Sequence, residues 1–144
     1  MIDVLIGATS EDIDLLEFNK HAWTLKSKKA IKEFKQYLNS PIVKSYTMWD
    51  KENNRPLLVL AFHQYVRGCF YAQIVADKRF GKPSHIKLFR KTIDKCIANF
   101  NMQYIQTVSE DVEDLNKWHT FIGWKKEKDI PNYYRKKNFI LWSM

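Results

Sequence analysis

A chain of 144 residues that is 45% hydrophobic fits one domain with a single core, so we expect one domain over residues 1–144. Twenty-four basic against 16 acidic residues leave a net charge of +8, which favours polyanionic partners without naming one. Two cysteines exclude a disulfide framework, and no apolar run approaches the roughly 20 residues that span a bilayer, so we expect a cytoplasmic protein without membrane contact.

The first half of the chain predicts a strand, two helices and three antiparallel strands. Residues 1–8 form an apolar strand, and Thr9 with Asp12 three positions later is a capping-box pattern that begins a helix. The core-facing side of this helix is predicted to carry Ile13, Leu16, Phe18, Ala22 and Trp23. A second helix spans residues 28–38, where apolar residues recur at helical spacing. Three strands then follow, at residues 46–49, 57–62 and 69–76.

The second half predicts a long helix, a strand, a shorter helix and two strands. Apolar residues from Ile86 to Phe100 lie along one face of the long helix. Its opposite, basic face carries Lys87, Arg90, Lys91 and Lys95. A strand at residues 104–108 precedes a helix that ends at Gly123, a good helix-terminating residue. The last two strands are predicted at residues 124–130 and 138–142, separated by residues 131–137.

This order of elements resembles that of the GNAT acyltransferases, and the resemblance covers essentially the whole chain. Residues 2–13 are similar to the family's first strand and helix start. Residues 115–124 are similar to the helix, glycine and aromatic strand start that close the family's cofactor site. The resemblance implies an α/β fold with a mixed, mostly antiparallel sheet flanked by about four helices. Its fourth and fifth strands would separate around a cofactor cleft.

The segment from residue 72 to residue 93 is the expected binding site for acetyl-coenzyme A. There an apolar strand enters a basic loop, residues 77–84, and then a helix, which is a common way to hold a phosphate at a helix N-terminus. In the family, the backbone at the strand end pairs with pantetheine, and the matching residues here are Ile74, Val75 and Ala76. The candidates for contacting the phosphates are Arg79, Gly81, Lys82, Ser84 and Lys87.

The loop departs from the family signature, which is Arg or Gln, two residues, Gly, one residue, then Gly or Ala. When Leu88 is aligned, those three positions hold Phe80, Pro83 and His85. Proline removes a backbone donor, and histidine adds bulk, although a protonated imidazole could itself meet a phosphate. The resemblance therefore implies an altered phosphate site.

Catalysis in the family needs a base for the amine and, often, a tyrosine that protonates the leaving thiolate. The tyrosine position, five residues before Trp124, holds His119, whose imidazole can donate a proton near neutral pH. The structural alternative for His119 is a surface or edge histidine beside Trp118. Tyr71 and Gln73 are the polar residues of the fourth strand, and Tyr71 is the candidate base, acting through a water chain.

The resemblance implies acetyl transfer from acetyl-coenzyme A to an amine, by direct attack in a ternary complex. The alternative is a catalytically inactive protein that binds a protein partner, since short phage-encoded GNAT-like proteins share this size, element order and altered loop. Such a protein would be virion-associated or host-modulating and would lie in the host cytoplasm or the virion. An exposed aromatic surface at Trp124, Tyr133 and Tyr134 would then contact the partner.

The residues were also compared with the patterns of nucleic-acid-binding and metal-binding sites. Residues 34–37 and 133–137 mix aromatic and basic side chains, as nucleic-acid-binding segments do, but ordinary hairpins show the same mixture. Nucleic acid is therefore not the expected partner. No metal is expected either, because the spacing of the four histidines pairs none of them as metal ligands. These are His21, His63, His85 and His119.

Overall fold

The computed structural model describes residues 1–18 and 27–144. These residues form two compact units. The first unit contains residues 1–64 and 72–81, and the second contains residues 65–71 and 82–144. None of the helices in the described ranges combines the length and the apolar composition needed to cross a bilayer.

The first unit consists of two helices and strands from the first half of the chain. Its elements are β1 (Ile2–Ile6), α1 (Ser10–Leu15), α2 (Lys28–Leu38), β2 (Val43–Asp50), most of β3 (Arg55–Val66) and the end of β4 (Cys69–Ala76). β1 pairs antiparallel with β2, and β2 pairs antiparallel with β3. The helices and strands share one core, made of Ala8, Ile13, Leu16, Phe34, Leu38, Val59, Ala61 and Val75.

Helix α1 begins as its capping pattern predicts. The amide of Asp12 donates to Thr9 Oγ1 at 3.2 Å, and the amide of Thr9 donates to Asp12 Oδ2 at 3.0 Å. The same Asp12 oxygen accepts from the Thr47 hydroxyl at 2.8 Å, which ties the helix start to β2. Ile13 and Leu16 are buried, and Phe18 packs against this core after the helix has ended. The other two predicted core positions, Ala22 and Trp23, lie outside the described residues.

The second unit consists of two helices and the remaining strands. Its elements are α3 (Pro83–Asn99), β5 (Tyr104–Glu110), α4 (Glu113–Ile122), β6 (Lys125–Tyr134) and β7 (Lys137–Ser143), with residues 69–71 of β4. The start of β4 pairs parallel with β5, while β7 pairs antiparallel with both β5 and β6. The strands follow the order β1-β2-β3-β4-β5-β7-β6. The expected α/β fold with a mixed, mostly antiparallel sheet and four helices is thus confirmed.

The hairpin of β6 and β7 differs from the sequence expectation. Residues 131–137 were expected to separate two short strands, but pairing continues to Tyr134 opposite Lys137. Only Arg135 and Lys136 form the turn, and both have positive φ, at 50° and 59°. Two successive left-handed residues close a hairpin whose twist matches that of its strands. Glycine or asparagine normally signals such a turn, and neither is present here.

Helix α4 ends at Gly123 as predicted. Gly123 has a φ of +111°, and the following amide, of Trp124, donates back to the His119 carbonyl at 2.9 Å. Arg90, from the basic face of α3, also donates to this helix end, through Nε to the Ile122 carbonyl at 3.2 Å and through Nη2 to the Phe121 carbonyl. One member of the basic face therefore has a structural role as a helix cap.

We expect Gly123→Ala to destabilise the protein by about 1–2 kcal/mol, because an L side chain is strained in this left-handed conformation. Space is not the obstacle, since the nearest atom to an added Cβ is the Met144 methyl carbon at 3.6 Å. Urea unfolding measures the loss. Gly123→Asn is the matched control, since asparagine tolerates positive φ better and should lose less. An equal loss in both variants would contradict the conformational explanation.

Candidate functional site

The end of β4, where pantetheine was expected to pair, is partly core. Val75 is buried, and Ile74 and Ala76 are half-buried. The side chain of Val75 belongs to the core of the first unit, so it is committed to packing. The Val75 side chain is therefore not available to a ligand, and pairing of the backbone with pantetheine there stays a prediction.

The first residue after β4 is Asp77, whose carboxylate has no exposure to solvent. Arg79 binds it with two side-chain bonds, Nε to Oδ1 and Nη2 to Oδ2, each 2.7 Å long. The amide of Arg79 donates to Oδ1 at 2.9 Å, and the amide of Glu17 donates to Oδ2 at 2.8 Å. All of these groups lie in the first unit. Asp77 was not among the residues predicted from the sequence, although a carboxylate two residues before an arginine is a pattern that indicates an ion pair.

These bonds control ionisation of the pair. Burial alone would raise the pKa of Asp77, but the hydrogen bonds from Arg79 and Glu17 outweigh it and hold the pKa at about 2. In return, the hydrogen bond to Asp77 raises the pKa of Arg79. Arg79, a predicted phosphate ligand, is therefore bound to a carboxylate of its own loop.

The backbone amides of the loop are also engaged within the first unit. Asp77 donates to the Leu57 carbonyl (2.8 Å), Lys78 to the Glu17 carbonyl (2.8 Å), Arg79 to the Asp77 carboxylate (2.9 Å) and Phe80 to the Asp77 carbonyl (3.0 Å). A phosphate that used any of these four amides would have to replace a bond that the loop already makes. Gly81 follows as an exposed residue with a φ of +146°.

In the second unit, the start of α3 has an internal cap. The amide of Lys82 donates to His85 Nδ1 at 3.3 Å, and Pro83 begins the helix without a donor. His85 is buried, and the nitrogen that accepts this bond must be unprotonated. A protonated His85 would lose the bond, which argues against the expected phosphate contact by its cationic form. The exposed polar side chains at this end are those of Lys82, Ser84 and Lys87.

His119, the expected proton donor, lies in an aromatic environment in the second unit. The residue is 6% exposed, so the surface position in the structural alternative is wrong, while the expected neighbour Trp118 is present. The ring stacks on Trp142 with 5.1 Å between centroids and a 14° interplanar angle, and Trp118 contacts it edge-on at 5.2 Å. Trp142 is itself fixed by a 2.7 Å bond from Nε1 to Ser109 Oγ. The sequence analysis missed Trp142 and Ser109, because no local spacing connects them to α4.

The tautomer of His119 follows from its bond to the Leu115 carbonyl, which is 2.9 Å from Nδ1. A carbonyl can only accept, so Nδ1 carries the proton and, in the neutral ring, Nε2 has the lone pair. Neutral His119 is thus a proton acceptor at Nε2. It becomes the predicted proton donor at that atom only as the imidazolium.

Tyr71, the candidate base, lies at the start of β4 in the second unit and is half-buried. Burial raises the pKa of Tyr71 to about 12, and the neighbouring Tyr133 acts in the same direction. At neutral pH its side chain is therefore a phenol, which donates hydrogen bonds and is a poor base.

The expected aromatic docking surface is wrong at one of its three residues. Trp124 is only 2% exposed and lies in the core, because it follows the glycine that ends α4. Its Nε1 is buried and has no hydrogen-bond partner in the described part of the chain. Tyr133 and Tyr134 are 51% and 44% exposed. Of the three predicted residues, Tyr133 and Tyr134 of the β6–β7 hairpin are therefore exposed, and Trp124 is not.

Comparison with known proteins finds solved structures with a similar fold. No protein-family model and no curated protein matches the sequence. The structure resembles the IAA acetyltransferase from Bacillus cereus, with a TM-score of 0.73 and 12% identity over 100% of this chain and 99% of that chain. It also resembles the ribosomal-protein-S5-alanine acetyltransferase from Vibrio fischeri, with a TM-score of 0.71 and 16% identity over 99% and 92% of the two chains.

A third similar structure is an acetyltransferase of the GNAT family from Bacillus anthracis. Its TM-score is 0.68, and it is 12% identical over 98% of this chain and 93% of that chain. These likenesses extend over nearly the full length of both partners, so the chain has the fold of GNAT acetyltransferases. At such low identity they show the fold alone.

We expect Asp77→Asn to lower the free energy of unfolding by about 2 kcal/mol at pH 7, because the native pKa of Asp77, about 2, lies below its ordinary value of 3.8. The depressed pKa stabilises the fold above about pH 4, and this contribution is lost as the pH falls toward 2. Urea unfolding between pH 2 and 7 measures it.

The matched control is Asp14→Asn, which removes the same charge from an exposed pair with Lys35 in the same unit. It should cost less than about 1 kcal/mol. If the wild type and Asp77→Asn lost stability in parallel below pH 4, the carboxylate would not be the stabilising group.

Proposed function

We propose that the protein is an N-acyltransferase that transfers an acetyl group from acetyl-coenzyme A to an amine. The observation that carries the proposal is the full-length structural likeness to proteins named acetyltransferases, including one that acts on an alanine of a ribosomal protein and others that act on spermidine. The setting of His119 supports it, because stacking on Trp142 fixes the ring and the bond from Nδ1 to the Leu115 carbonyl fixes the tautomer.

The residues fit the coenzyme phosphates through side chains more than through loop amides. Lys82, Ser84 and Lys87 are exposed at the first turns of α3, and this helix is 17 residues long. A helix N-terminus and two ammonium groups favour a bound anion. Arg79 is the least suited of the predicted ligands, since Asp77 already holds its guanidinium.

Acyl transfer requires the amine nitrogen to bond to the thioester carbonyl carbon while the carbon–sulfur bond breaks. The coenzyme supplies the activated thioester. The amine must lose a proton and the sulfur must gain one. His119 can hold the proton for sulfur at Nε2 when its ring is cationic, and the phenol of Tyr71 can donate a hydrogen bond. An imidazolium and a phenol cannot take the amine proton, so with His119 cationic that proton would leave through water.

Calorimetric titration with acetyl-coenzyme A, using desulfo-coenzyme A and ADP as comparison ligands, tests the proposal. We expect binding in the micromolar range that Lys82→Glu weakens at least tenfold, because a phosphate then faces a carboxylate. Lys95→Glu is the matched control, since it makes the same charge change on the same helix, about 20 Å from Lys82. It should weaken binding less than twofold. An absence of binding at millimolar ligand would contradict the proposal.

For the active protein, we expect His119→Phe to lower kcat by about 10²-fold or more while leaving coenzyme affinity unchanged. Phenylalanine keeps a ring against Trp142 and removes the transferable proton. Initial rates of acetyl transfer to a panel of amines, measured across pH, provide the test. Equal kcat in both proteins would show that His119 is only a packing residue.

A second candidate function is favoured by the internal bonding of the loop. Four amides of residues 77–80 and the amide of Lys82 donate within the chain, and Pro83 has none to donate. A loop satisfied in this way suits a catalytically inactive protein that binds a protein partner, such as a phage virion component or a host-modulating factor. Failure to bind acetyl-coenzyme A together with stable co-purification of one protein would favour this function.

A further inference from the structure

The β6–β7 hairpin concentrates the charge of the protein. Residues 125–137 contain six basic and two acidic side chains, so this segment of 13 residues has a net charge of +4, half of the +8 of the whole chain. β6 is the last strand in the order of the sheet. Its residues are exposed along nearly the whole strand. The hairpin is therefore an accessible cationic edge.

The two faces of this hairpin differ in charge. Lys126 lies opposite Trp142 and forms an ion pair with Asp129 at 2.8 Å, so its charge is compensated. Lys125 and Lys128 lie opposite Ser143 and Leu141, two positions apart on β7, which places both lysines on the other face.

In the described part of the chain, neither of these two lysines forms an ion pair, and nor does Lys136 in the turn. On the same face, Lys137 pairs with Glu110 at 3.4 Å, and Glu127 accepts a hydrogen bond from the Ser143 hydroxyl. Because Glu110 compensates Lys137, the charges of Lys125 and Lys128 are opposed on this face by Glu127 alone, so the face remains cationic.

Two exposed tyrosines accompany the uncompensated lysines. Tyr133 contacts Phe139 edge-on, with 5.2 Å between centroids, which fixes the ring while half of its surface remains open. Arg135 lies over the ring of Tyr134 at 5.2 Å, so a guanidinium and a phenol form a short stack at the tip. Bases of an unpaired strand stack on aromatic rings and on arginine planes, while lysines contact the phosphates.

We infer that this hairpin binds single-stranded nucleic acid. The lysines Lys125, Lys128 and Lys136 provide contacts to phosphates, and Tyr133 with the Tyr134–Arg135 stack provides surfaces for bases. The sequence alone did not distinguish this segment from an ordinary hairpin. The structure does so by separating the ion-paired Lys126 and Lys137 from Lys125, Lys128 and Lys136, and by exposing both tyrosines. This activity needs no acyl-coenzyme and is independent of the proposed acyl transfer.

Fluorescence anisotropy with a labelled 12-nucleotide single strand of mixed sequence, at salt concentrations from 50 to 300 mM, tests the inference without coenzyme. We expect affinity to fall with salt at a log–log slope of about −2, because each of the three phosphates that the lysines neutralise on a single strand contributes roughly −0.7. Lys128→Gln with Lys136→Gln should make the slope less steep by about 1.4. A slope near zero would overturn the inference.

The charge-matched control is Lys29→Gln with Lys32→Gln, which changes two exposed lysines of α2 and lowers the net charge equally. It should leave both affinity and slope within experimental error of the wild type. If it weakened binding as much as the hairpin variant, the effect would be one of net charge, and no site would exist at the hairpin.

Tyr134→Leu separates stacking from charge. We expect it to weaken binding to the single strand about fivefold or more and to leave binding to a duplex of the same sequence unchanged, because paired bases cannot stack on the ring. Circular dichroism should show the fold intact, since this side chain is 44% exposed. Equal binding of polyglutamate and of the oligonucleotide by the wild type would identify an acidic protein as the occupant and overturn the inference.

Discussion

The first unit depends on a carboxylate that is entirely removed from solvent. An unpaired charge in such a position would cost several kcal/mol, so the chain around Asp77 must supply donors to both oxygens. It does so from its own loop, through Arg79, and from the segment after α1, through the amide of Glu17. The amide of Asp77 also donates to Leu57 in β3. One residue thereby fixes the end of β4 to two other segments, through its carboxylate and its backbone amide.

The same interaction limits how the loop can act on a ligand. The backbone amides of residues 77–80 would otherwise be available to surround a phosphate, but they already donate within the chain. A ligand must therefore compete with these bonds. Lys78 is exposed but pairs with Glu17, and further exposed cationic groups lie at the start of α3, on Lys82 and Lys87. Coenzyme recognition in this chain would thus rest on charge and a helix terminus, with less contribution from the loop backbone.

In the second unit, rigidity comes from aromatic packing. The stack of His119 on Trp142 and the bond from His119 Nδ1 to Leu115 leave the ring one orientation and one tautomer. That arrangement determines which nitrogen can exchange a proton. The exposed end of the same unit is built differently, since the β6–β7 hairpin carries its charged and aromatic residues on the surface. Buried and exposed aromatic residues of one unit thus suit different tasks.

The sequence by itself determined the order and type of the elements, the capping box at Thr9 and the end of α4 at Gly123. Hydrophobic period and cap chemistry are local properties, so they are readable from neighbouring residues. Tertiary structure alone decided that Asp77 is buried beside Glu17, 60 residues away, that His119 stacks on Trp142, and that Trp124 is in the core. It also decided that β6 and β7 meet across a two-residue turn and that Lys126 forms an ion pair with Asp129. Contacts between distant residues depend on packing, which local spacing does not specify.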